Sequence, residues 1–203
     1  MPATLTGIAA IVLAAGRSSR MGGAANKLTE DLGGKPMVRH AVEAALDSGA
    51  SPVIVVCGHE EPAVRAALAG LHVRFISNPD YAEGLSTSLK AGIAALPEDS
   101  DGVVVLLGDM PLVRAAFIRR LVAAFEAEPG GFAAVPIHDG DWGNPVVIAR
   151  ALFADVAGLT GDAGARKLLE QRKETVIEVP ADDSVVLDAD TPDALEALRR
   201  RQD

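Results

Sequence analysis

Aromatic residues and positive charge are both scarce in this sequence. Phe, Trp and Tyr make up 3% of the 203 residues, and 28 acidic residues outnumber 19 basic ones, which gives a formal net charge of −9. A protein that binds nucleic acid by neutralising phosphates usually shows the opposite balance. We therefore expect no nucleic-acid partner. A small anionic ligand remains compatible with this charge, because a local cluster of donors can act within an acidic protein.

The sequence contains a single cysteine and no long hydrophobic run. Cys57 alone cannot form an internal disulfide or a cysteine-rich zinc site, and its apolar surroundings at 53–57 predict a buried side chain. No run of about 18 apolar residues occurs, so the sequence predicts no membrane span. The apolar run 8–15 has no basic segment before it and no convincing cleavage site after it. We expect a cytoplasmic protein without a membrane partner.

Short apolar runs bounded by Gly or Pro alternate with longer segments of helical periodicity. Strands are predicted at 8–13, 52–57, 73–77, 102–107, 132–137, 145–148 and 175–179. Helices are predicted at 36–46, 62–68, 86–96, 117–126, 163–171 and 192–200. This alternation indicates one α/β domain over residues 1–203, with a Rossmann-like, mostly parallel sheet and helices on both faces. Ligands bind such sheets at the carboxyl ends of the strands.

The first predicted strand leads into a loop of small and basic residues. The loop reads Leu13-Ala14-Ala15-Gly16-Arg17-Ser18-Ser19-Arg20-Met21-Gly22, and Asn26-Lys27 follow it. Small residues let backbone N–H groups approach a phosphate, while Arg17, Arg20 and Lys27 add positive charge. The loop matches neither the dinucleotide-binding G-x-G-x-x-G pattern nor a Walker loop. A phosphate-binding loop and a surface turn with solvated arginines both remain open.

Acidic residues follow one predicted strand and precede the last predicted helix. Asp109 comes after the apolar run 103–107, where a carboxylate is costly unless something binds it. Asp188 and Asp190 lie just before Thr191-Pro192, where capping of the helix explains them equally well. If the two segments meet, their carboxylates would suit Mg²⁺ together with triphosphate oxygens and water.

Two glycine-containing segments in the second half of the chain are candidates for ligand contact. Gly143-Asn144-Pro145 is typical of a turn between strands. The segment Gly161-Asp162-Ala163-Gly164-Ala165-Arg166 opens a predicted helix, which suits an anion site or an ordinary helix start. The histidines show no metal-ligand spacing and are expected to be structural or exposed: His40, His59, His72 and His138. Tyr81 and Trp142 flank these loops and are expected to pack.

These segments together resemble the motifs of nucleotidyltransferases with a glycosyltransferase-A-type fold. The branch they resemble most includes the molybdenum cofactor cytidylyltransferases and guanylyltransferases. The matching motifs are Leu13-Ala14-Ala15-Gly16-x-Ser18-x-Arg20-Met21-Gly22, Asn26-Lys27-Leu28, Asn78-Pro79-x-Tyr81-x-x-Gly84-Leu85-Ser86-x-Ser88-Leu89, Leu107-Gly108-Asp109-Met110-Pro111, Gly143-Asn144-Pro145, Gly161-Asp162-x-Gly164-Ala165-Arg166 and Asp188-x-Asp190-Thr191-Pro192. One departure is that the stretch before Lys27 looks slightly longer than the pattern.

The resemblance implies an Mg²⁺-dependent transfer of CMP from CTP to the phosphate of a molybdopterin-type molybdenum cofactor, with release of pyrophosphate. It implies a nucleotide-binding half at about 1–110 and an acceptor-binding half at about 111–203. The implied nucleotide-binding residues are Leu13, Ala14, Ala15, Gly16, Arg17, Ser18, Arg20, Lys27, Asn78, Gly84 and Ser86. The implied acceptor-binding residues are Gly143, Asn144, Pro145, Gly161, Asp162, Gly164 and Arg166.

The resemblance also implies individual roles for a few residues. Lys27, Arg20 and Asp109 are the expected catalytic residues, and Mg²⁺ is expected on Asp109 and Asp190, with Asp188 as the second choice for the latter. Ala15 stands where the cytidylyltransferases tend to have Ala and the guanylyltransferases Gly, which favours CTP.

Three other functions are considered. The first is a related enzyme that uses GTP or another phosphorylated acceptor, such as a sugar phosphate or methylerythritol phosphate. The second is a nicotinamide oxidoreductase, which the missing G-x-G-x-x-G pattern disfavours. The third is a non-catalytic nucleotide-binding partner of a molybdoenzyme. The expected partners are CTP, the molybdopterin-type acceptor, and a target molybdoenzyme or its chaperone.

Overall fold

The computed structural model describes residues 7–16, 26–128, 130–189 and 192–201. The strands in this part of the chain are β1 (Ile8–Ala14), β2 (Asp31–Leu32), β3 (Lys35–Pro36), β4 (Val53–Cys57), β5 (Arg74–Ser77), β6 (Gly102–Leu107), β7 (Ala133–His138), β8 (Asp141–Trp142), β9 (Val146–Ala149) and β10 (Val176–Pro180). The α-helices are α1 (Met37–Ser48), α2 (Glu61–Ala67), α3 (Leu85–Ala94), α4 (Ala115–Ala127), α5 (Phe153–Val156), α6 (Ala165–Glu170) and α7 (Pro192–Arg200).

One eight-stranded sheet organises the fold. Its strand order is β10-β7-β9-β6-β1-β4-β5, and β8 pairs with β7 outside this path. β6, β1, β4 and β5 are parallel neighbours, as are β10 and β7, whereas β9 runs antiparallel to both β6 and β7. The predicted α/β class with a mostly parallel sheet is therefore confirmed. β2 and β3 form a separate two-stranded hairpin that the sequence analysis did not predict.

The central strand β1 is buried on both faces, and its side chains alternate between two hydrophobic cores. Ile8, Ala10 and Val12 pack in the core that also contains side chains of α1, α2 and α4. Ala9 and Ile11 point the other way, into the core built with α3, α5 and α6. This alternation places helices on both faces of the sheet, as predicted. None of the described helices is long and apolar enough to cross a membrane.

Helix α7 packs against the β2–β3 hairpin and the start of α1 through a third, smaller core. Leu195 and Leu198 of α7 pack with Ala189 against Leu32 and Met37. This cluster fixes the segment before α7, which carries the predicted acidic motif, next to the hairpin and the start of α1. Ala189, which follows Asp188, is therefore held in place by this packing.

Candidate active site

Parallel pairing brings the segments that follow three strands to one edge of the sheet. The register pairs Leu13 of β1 with Leu107 of β6, and Ala14 of β1 with Cys57 of β4. Backbone hydrogen bonds continue past the strand ends, from Gly108 N–H to the Leu13 carbonyl at 3.0 Å and from His59 N–H to the Ala15 carbonyl at 3.2 Å. The predicted glycine loop and the Asp109 turn thus begin at the same edge.

Lys27 and Asp109 form an ion pair at this edge. Lys27 Nζ donates to Asp109 Oδ2 at 2.6 Å, and the two side chains are 10% and 18% exposed. A single turn of 3-10 helix, Lys27–Thr29, presents the lysine, and the Asn26 side chain caps that turn by accepting from Leu28 N–H at 3.1 Å. Two of the three predicted catalytic residues, which stand 82 positions apart in sequence, are therefore in direct contact.

The backbone of the segment before α7 contacts the Asp109 turn. Ala189 N–H donates to the Asp109 backbone carbonyl at 3.2 Å, so Asp188 is adjacent in sequence to a residue that contacts Asp109. Among the described residues, no group of three or more Asp, Glu, His or Cys side chains is arranged to hold a metal ion. Mg²⁺ is often bound by one or two carboxylates and completes its shell with phosphate oxygens and water. The hard oxygen donors present here fit such a cation.

Asn78 organises the turn between β5 and α3 with its own side chain. Its buried amide donates to Thr87 Oγ1 at 2.9 Å and to Ser88 Oγ at 3.0 Å, and it accepts from Asp80 N–H at 3.0 Å. Both amide protons are therefore used within the protein. The predicted nucleotide contact of Asn78 stays a prediction, and the side-chain contacts observed are structural.

Ser86, in the first turn of α3, carries a buried hydroxyl that is not satisfied. The residue is 1% exposed, and Ser86 Oγ has no hydrogen-bond partner among the residues that the structure describes. A buried polar group without a partner costs about 1–3 kcal/mol, and nearly all such groups in proteins are hydrogen-bonded. This hydroxyl is therefore the strongest candidate for a ligand contact in the predicted nucleotide-binding segment.

The predicted nucleotide-binding and acceptor-binding segments touch each other at Gly84 and Gly161. Ser86 N–H donates to the Gly161 carbonyl at 3.0 Å. Gly84 has φ +114°, and a Cβ there would lie 2.3 Å from the carbonyl carbon of Gly161. Only glycine allows this backbone-to-backbone approach. The segments around Gly84 and Gly161 thus pack directly against each other, and together they are called the wall of the site.

The two predicted acceptor segments are also joined to each other. Arg166 Nη1 donates to the Trp142 carbonyl at 2.9 Å, directly before Gly143, and Arg166 Nε contacts Glu170 Oε1 at 3.2 Å. Asn144 N–H donates to the Val185 carbonyl at 2.8 Å, which ties the turn to the segment leading toward Asp188. The Arg166 guanidinium therefore holds the loop in place, whereas an anion contact for it stays a prediction.

Gly58 and His59, which were not predicted to be site residues, lie at the same edge of the sheet. A Cβ on Gly58 would lie 2.6 Å from Tyr81 Cβ and 2.9 Å from Ala15 Cβ, so these three residues close tightly on one another. The His59 and Tyr81 rings are 6.0 Å apart at 45°. Ala15 is only 4% exposed because its methyl group faces this contact. The available signal was the position of Gly58 directly after β4.

Four predicted site residues lie outside the described part of the chain: Arg17, Ser18, Arg20 and Asp190. Leu13 and Ala14 are buried in β1, where they support the edge through backbone pairing.

Burial raises the pKa of the Cys57 thiol to about 11. Because only the thiolate is strongly nucleophilic, Cys57 is unsuited to covalent catalysis.

The fold and this charged edge define an α/β nucleotidyltransferase, an enzyme that uses a nucleoside triphosphate. More specifically, residues 10–176 match the family described as MobA-like NTP transferase domain, and the chain belongs to that family.

Solved structures and curated proteins are similar to this chain over different lengths. Rv0371c from Mycobacterium tuberculosis H37Rv has a TM-score of 0.83 and 30% identity, covering 98% of this chain and 100% of its own. The same protein has also been crystallised as a complex with manganese, with a TM-score of 0.82 and 29% identity over 95% of this chain and 98% of its own. A nucleotidyl transferase from Methanothermobacter thermautotrophicus has a TM-score of 0.83 and 26% identity, covering 96% and 97%.

The bifunctional protein GlmU of Kineococcus radiotolerans is 35% identical over 173 residues. That match covers 82% of this chain but 32% of GlmU. The chain therefore spans about a third of the length of this curated relative.

Proposed function

We propose that this protein transfers CMP from CTP to the phosphate of a molybdopterin-type molybdenum cofactor and releases pyrophosphate. The observation that carries the nucleotide part is the buried, unsatisfied hydroxyl of Ser86, which lies in the segment expected to read the base. The methyl group of Ala15, which packs beside Gly58 and Tyr81, would narrow the base pocket and so favour a pyrimidine over a purine. The acceptor part rests on the resemblance of the Gly143 and Gly161 segments to the molybdenum cofactor branch.

In the proposed reaction, an oxygen of the acceptor phosphate attacks the α-phosphorus of CTP in line. A phosphorus–oxygen bond forms, the bond to the bridging oxygen of the β-phosphate breaks, and pyrophosphate leaves with that electron pair. The acceptor oxygen is already ionised near neutral pH, so no side chain is required to remove a proton. Catalysis then depends on positioning and on offsetting negative charge.

Within this proposal, different residues at the sheet edge bind the phosphates, hold the metal ion and position the two substrates. The Lys27 ammonium group binds triphosphate oxygens, and backbone N–H groups near Gly16 support the same phosphates. Asp109, with Asp188 or Asp190, would hold Mg²⁺, which would offset charge at the α-phosphate. The wall formed by Gly84 and Gly161 would keep the base and the acceptor on fixed sides of the reacting phosphorus.

A nucleotidyltransferase that uses GTP or another phosphorylated acceptor is the alternative, because the family match specifies no acceptor. That enzyme would share Lys27 and Asp109 and would differ at Gly143–Asn144 and around Gly161. The cytoplasmic location and a target molybdoenzyme or its chaperone as partner stay predictions that accompany the main proposal.

Nucleotide preference is tested by a thermal-shift panel of CTP, GTP, UTP and ATP, each with and without Mg²⁺. A ligand at 100 times its Kd stabilises the native state by about 2.7 kcal/mol, so CTP with Mg²⁺ should raise Tm most. Pyrophosphate release should then require CTP together with the molybdopterin-type acceptor. A larger shift with GTP, or release with a sugar phosphate instead, would contradict the proposal in its nucleotide or its acceptor part respectively.

Two buried serines of α3 provide a matched pair of variants. Ser86 Oγ has no partner among the described residues, whereas Ser88 Oγ accepts from Asn78 Nδ2 at 3.0 Å. Ser86→Ala should therefore leave stability unchanged or higher and weaken CTP by about 1 kcal/mol, roughly fivefold in Kd. Ser88→Ala should instead lower stability by about 1–3 kcal/mol, because it leaves the Asn78 amide without that partner. Unchanged CTP affinity in Ser86→Ala would remove Ser86 from the base site.

A further inference from the structure

We propose that Lys27 competes with a divalent cation for Asp109 and that a bound triphosphate relieves this competition. The protein would then bind the cation well only together with the nucleotide. The inference rests on the proposed function, in which Lys27 binds the triphosphate and Asp109 binds the metal. What it adds is that Lys27 makes binding of the metal ion depend on prior or simultaneous binding of the nucleotide.

The competition follows from the position of the Lys27 ammonium group. Its nitrogen lies 2.6 Å from Asp109 Oδ2, which is the distance of a charge-assisted hydrogen bond. A cation on the same carboxylate would therefore lie within a few ångströms of a positive charge. Both side chains are mostly buried, so salt and water screen this repulsion much less than at an exposed site.

The backbone around Lys27 limits how the competition can be relieved. Asn26 caps the turn through Leu28 N–H at 3.1 Å, and its carbonyl accepts from Thr29 N–H at 2.9 Å and from Thr29 Oγ1 at 2.9 Å. Because these contacts fix the backbone of Lys27, only its flexible side chain can redirect the ammonium group. Phosphate oxygens provide the negative charge toward which it would turn.

A cation on Asp109 would also take ligands from a bound triphosphate. The segment containing Asp188 is joined to Asp109 by the hydrogen bond from Ala189 N–H, at 3.2 Å. Mg²⁺ is commonly held by one or two carboxylates together with phosphate oxygens and water. Most ligands of a cation here would thus come from phosphate oxygens and water. The triphosphate would supply those ligands and attract Lys27 at the same time.

The test measures binding of Mn²⁺ to the full chain by the electron paramagnetic resonance signal of the free ion. Wild type is compared with Lys27→Met, which removes the ammonium group. The control is Lys35→Met, which removes an ammonium group from an ion pair of similar length, 2.5 Å to Glu43 Oε2, away from the site. Without nucleotide, Lys27→Met should bind Mn²⁺ about tenfold more tightly than wild type, whereas Lys35→Met should match wild type.

The second measurement is the factor by which CTP tightens Mn²⁺ binding, corrected for Mn²⁺ bound by CTP in solution. Binding couplings are reciprocal, so this factor should be about tenfold smaller in Lys27→Met, and Mn²⁺ should raise CTP affinity correspondingly less. Lys27→Gln, which keeps an amide donor toward Asp109, should change both quantities in the same direction. It replaces Lys27→Met if that variant is not folded.

Three results would overturn the inference. An unchanged Mn²⁺ affinity in Lys27→Met would show that the lysine does not exclude the cation. An equal gain in Lys35→Met would show only a general effect of net charge. Absence of Mn²⁺ binding in every variant, with CTP bound normally, would contradict the metal role of Asp109 itself. That last result identifies a failure of the proposed function, whereas the first two leave it standing.

Discussion

Asp109→Asn is expected to remove most nucleotidyl transfer while the protein stays folded. Asparagine has nearly the same size and keeps an oxygen that can accept from Lys27 Nζ, which lies 2.6 Å from the carboxylate. The backbone carbonyl of residue 109 still accepts from Ala189 N–H. Only the negative charge is lost, and removal of one charge-stabilising group typically lowers the rate by ~10²–10³. The rate of pyrophosphate release at saturating CTP and Mg²⁺ measures the effect.

Asp101→Asn is the matched control, since Asp101 is an exposed residue just before β6, at the end of the strand opposite Asp109. It should keep wild-type turnover, and Tm should show that both variants are folded. Near-normal turnover of Asp109→Asn at limiting Mg²⁺ would show that Asp109 does not bind the metal. A large fall in Tm confined to Asp109→Asn would instead assign the residue a structural role through Lys27.

The central sheet could be predicted because burial on both faces leaves a strong local signal. In β1 and β6, consecutive residues are apolar, as expected for strands covered by helices on both sides. Parallel order then places the residues that follow each strand at one edge, where ligands bind such sheets; the contact between Lys27 and Asp109 was not predicted. The two-residue strands β2, β3 and β8 could not be predicted in the same way, because they are too short to show a period.

Side-chain partners at the site could not be predicted, since spacing does not reveal which hydrogen bonds form. Asn78 and Ser86 were assigned the same nucleotide-binding role. In the structure the Asn78 amide is used by Thr87 and Ser88, whereas the Ser86 hydroxyl has no partner in the described part of the chain. The difference between these two side chains depends on how α3 packs, which the sequence does not reveal.

Contacts between turns that are far apart in the chain could not be predicted from the sequence either. Gly58 follows β4 like any strand-ending glycine, yet its Cα faces Tyr81 and Ala15 so closely that a Cβ would lie 2.6 Å from Tyr81 Cβ. Such an approach depends on the positions of three loops at once. The sequence placed the loops at one edge of the sheet and left their mutual distances undetermined.

Gly84→Ala is expected to lower both CTP affinity and acceptor-dependent turnover. The backbone at Gly84 has φ +114°, and a Cβ there would lie 2.3 Å from the carbonyl carbon and 2.4 Å from the carbonyl oxygen of Gly161. Both are backbone atoms, so no flexible side chain can move aside and the two segments must separate. Separation breaks the hydrogen bond from Ser86 N–H to Gly161 and displaces Ser86 from its place in the wall. Since a misplacement of about 1 Å can cost 10²-fold in rate, kcat/KM should fall by about that factor.

Gly70→Ala is the control that distinguishes the steric clash at Gly84 from the backbone strain of a positive φ. Gly70 also has a positive φ, +82°, but a Cβ there would meet no heavy atom within 4 Å. It should therefore lose only about 1–2 kcal/mol of stability, the cost of a left-handed conformation for an L-residue, and keep its kcat/KM. Gly84→Ala should lose activity well beyond what its stability explains, because the contact it breaks joins the two segments proposed to bind the nucleotide and the acceptor. If CTP affinity and kcat/KM of Gly84→Ala instead matched those of Gly70→Ala, the contact between residues 84 and 161 would have no part in binding or transfer.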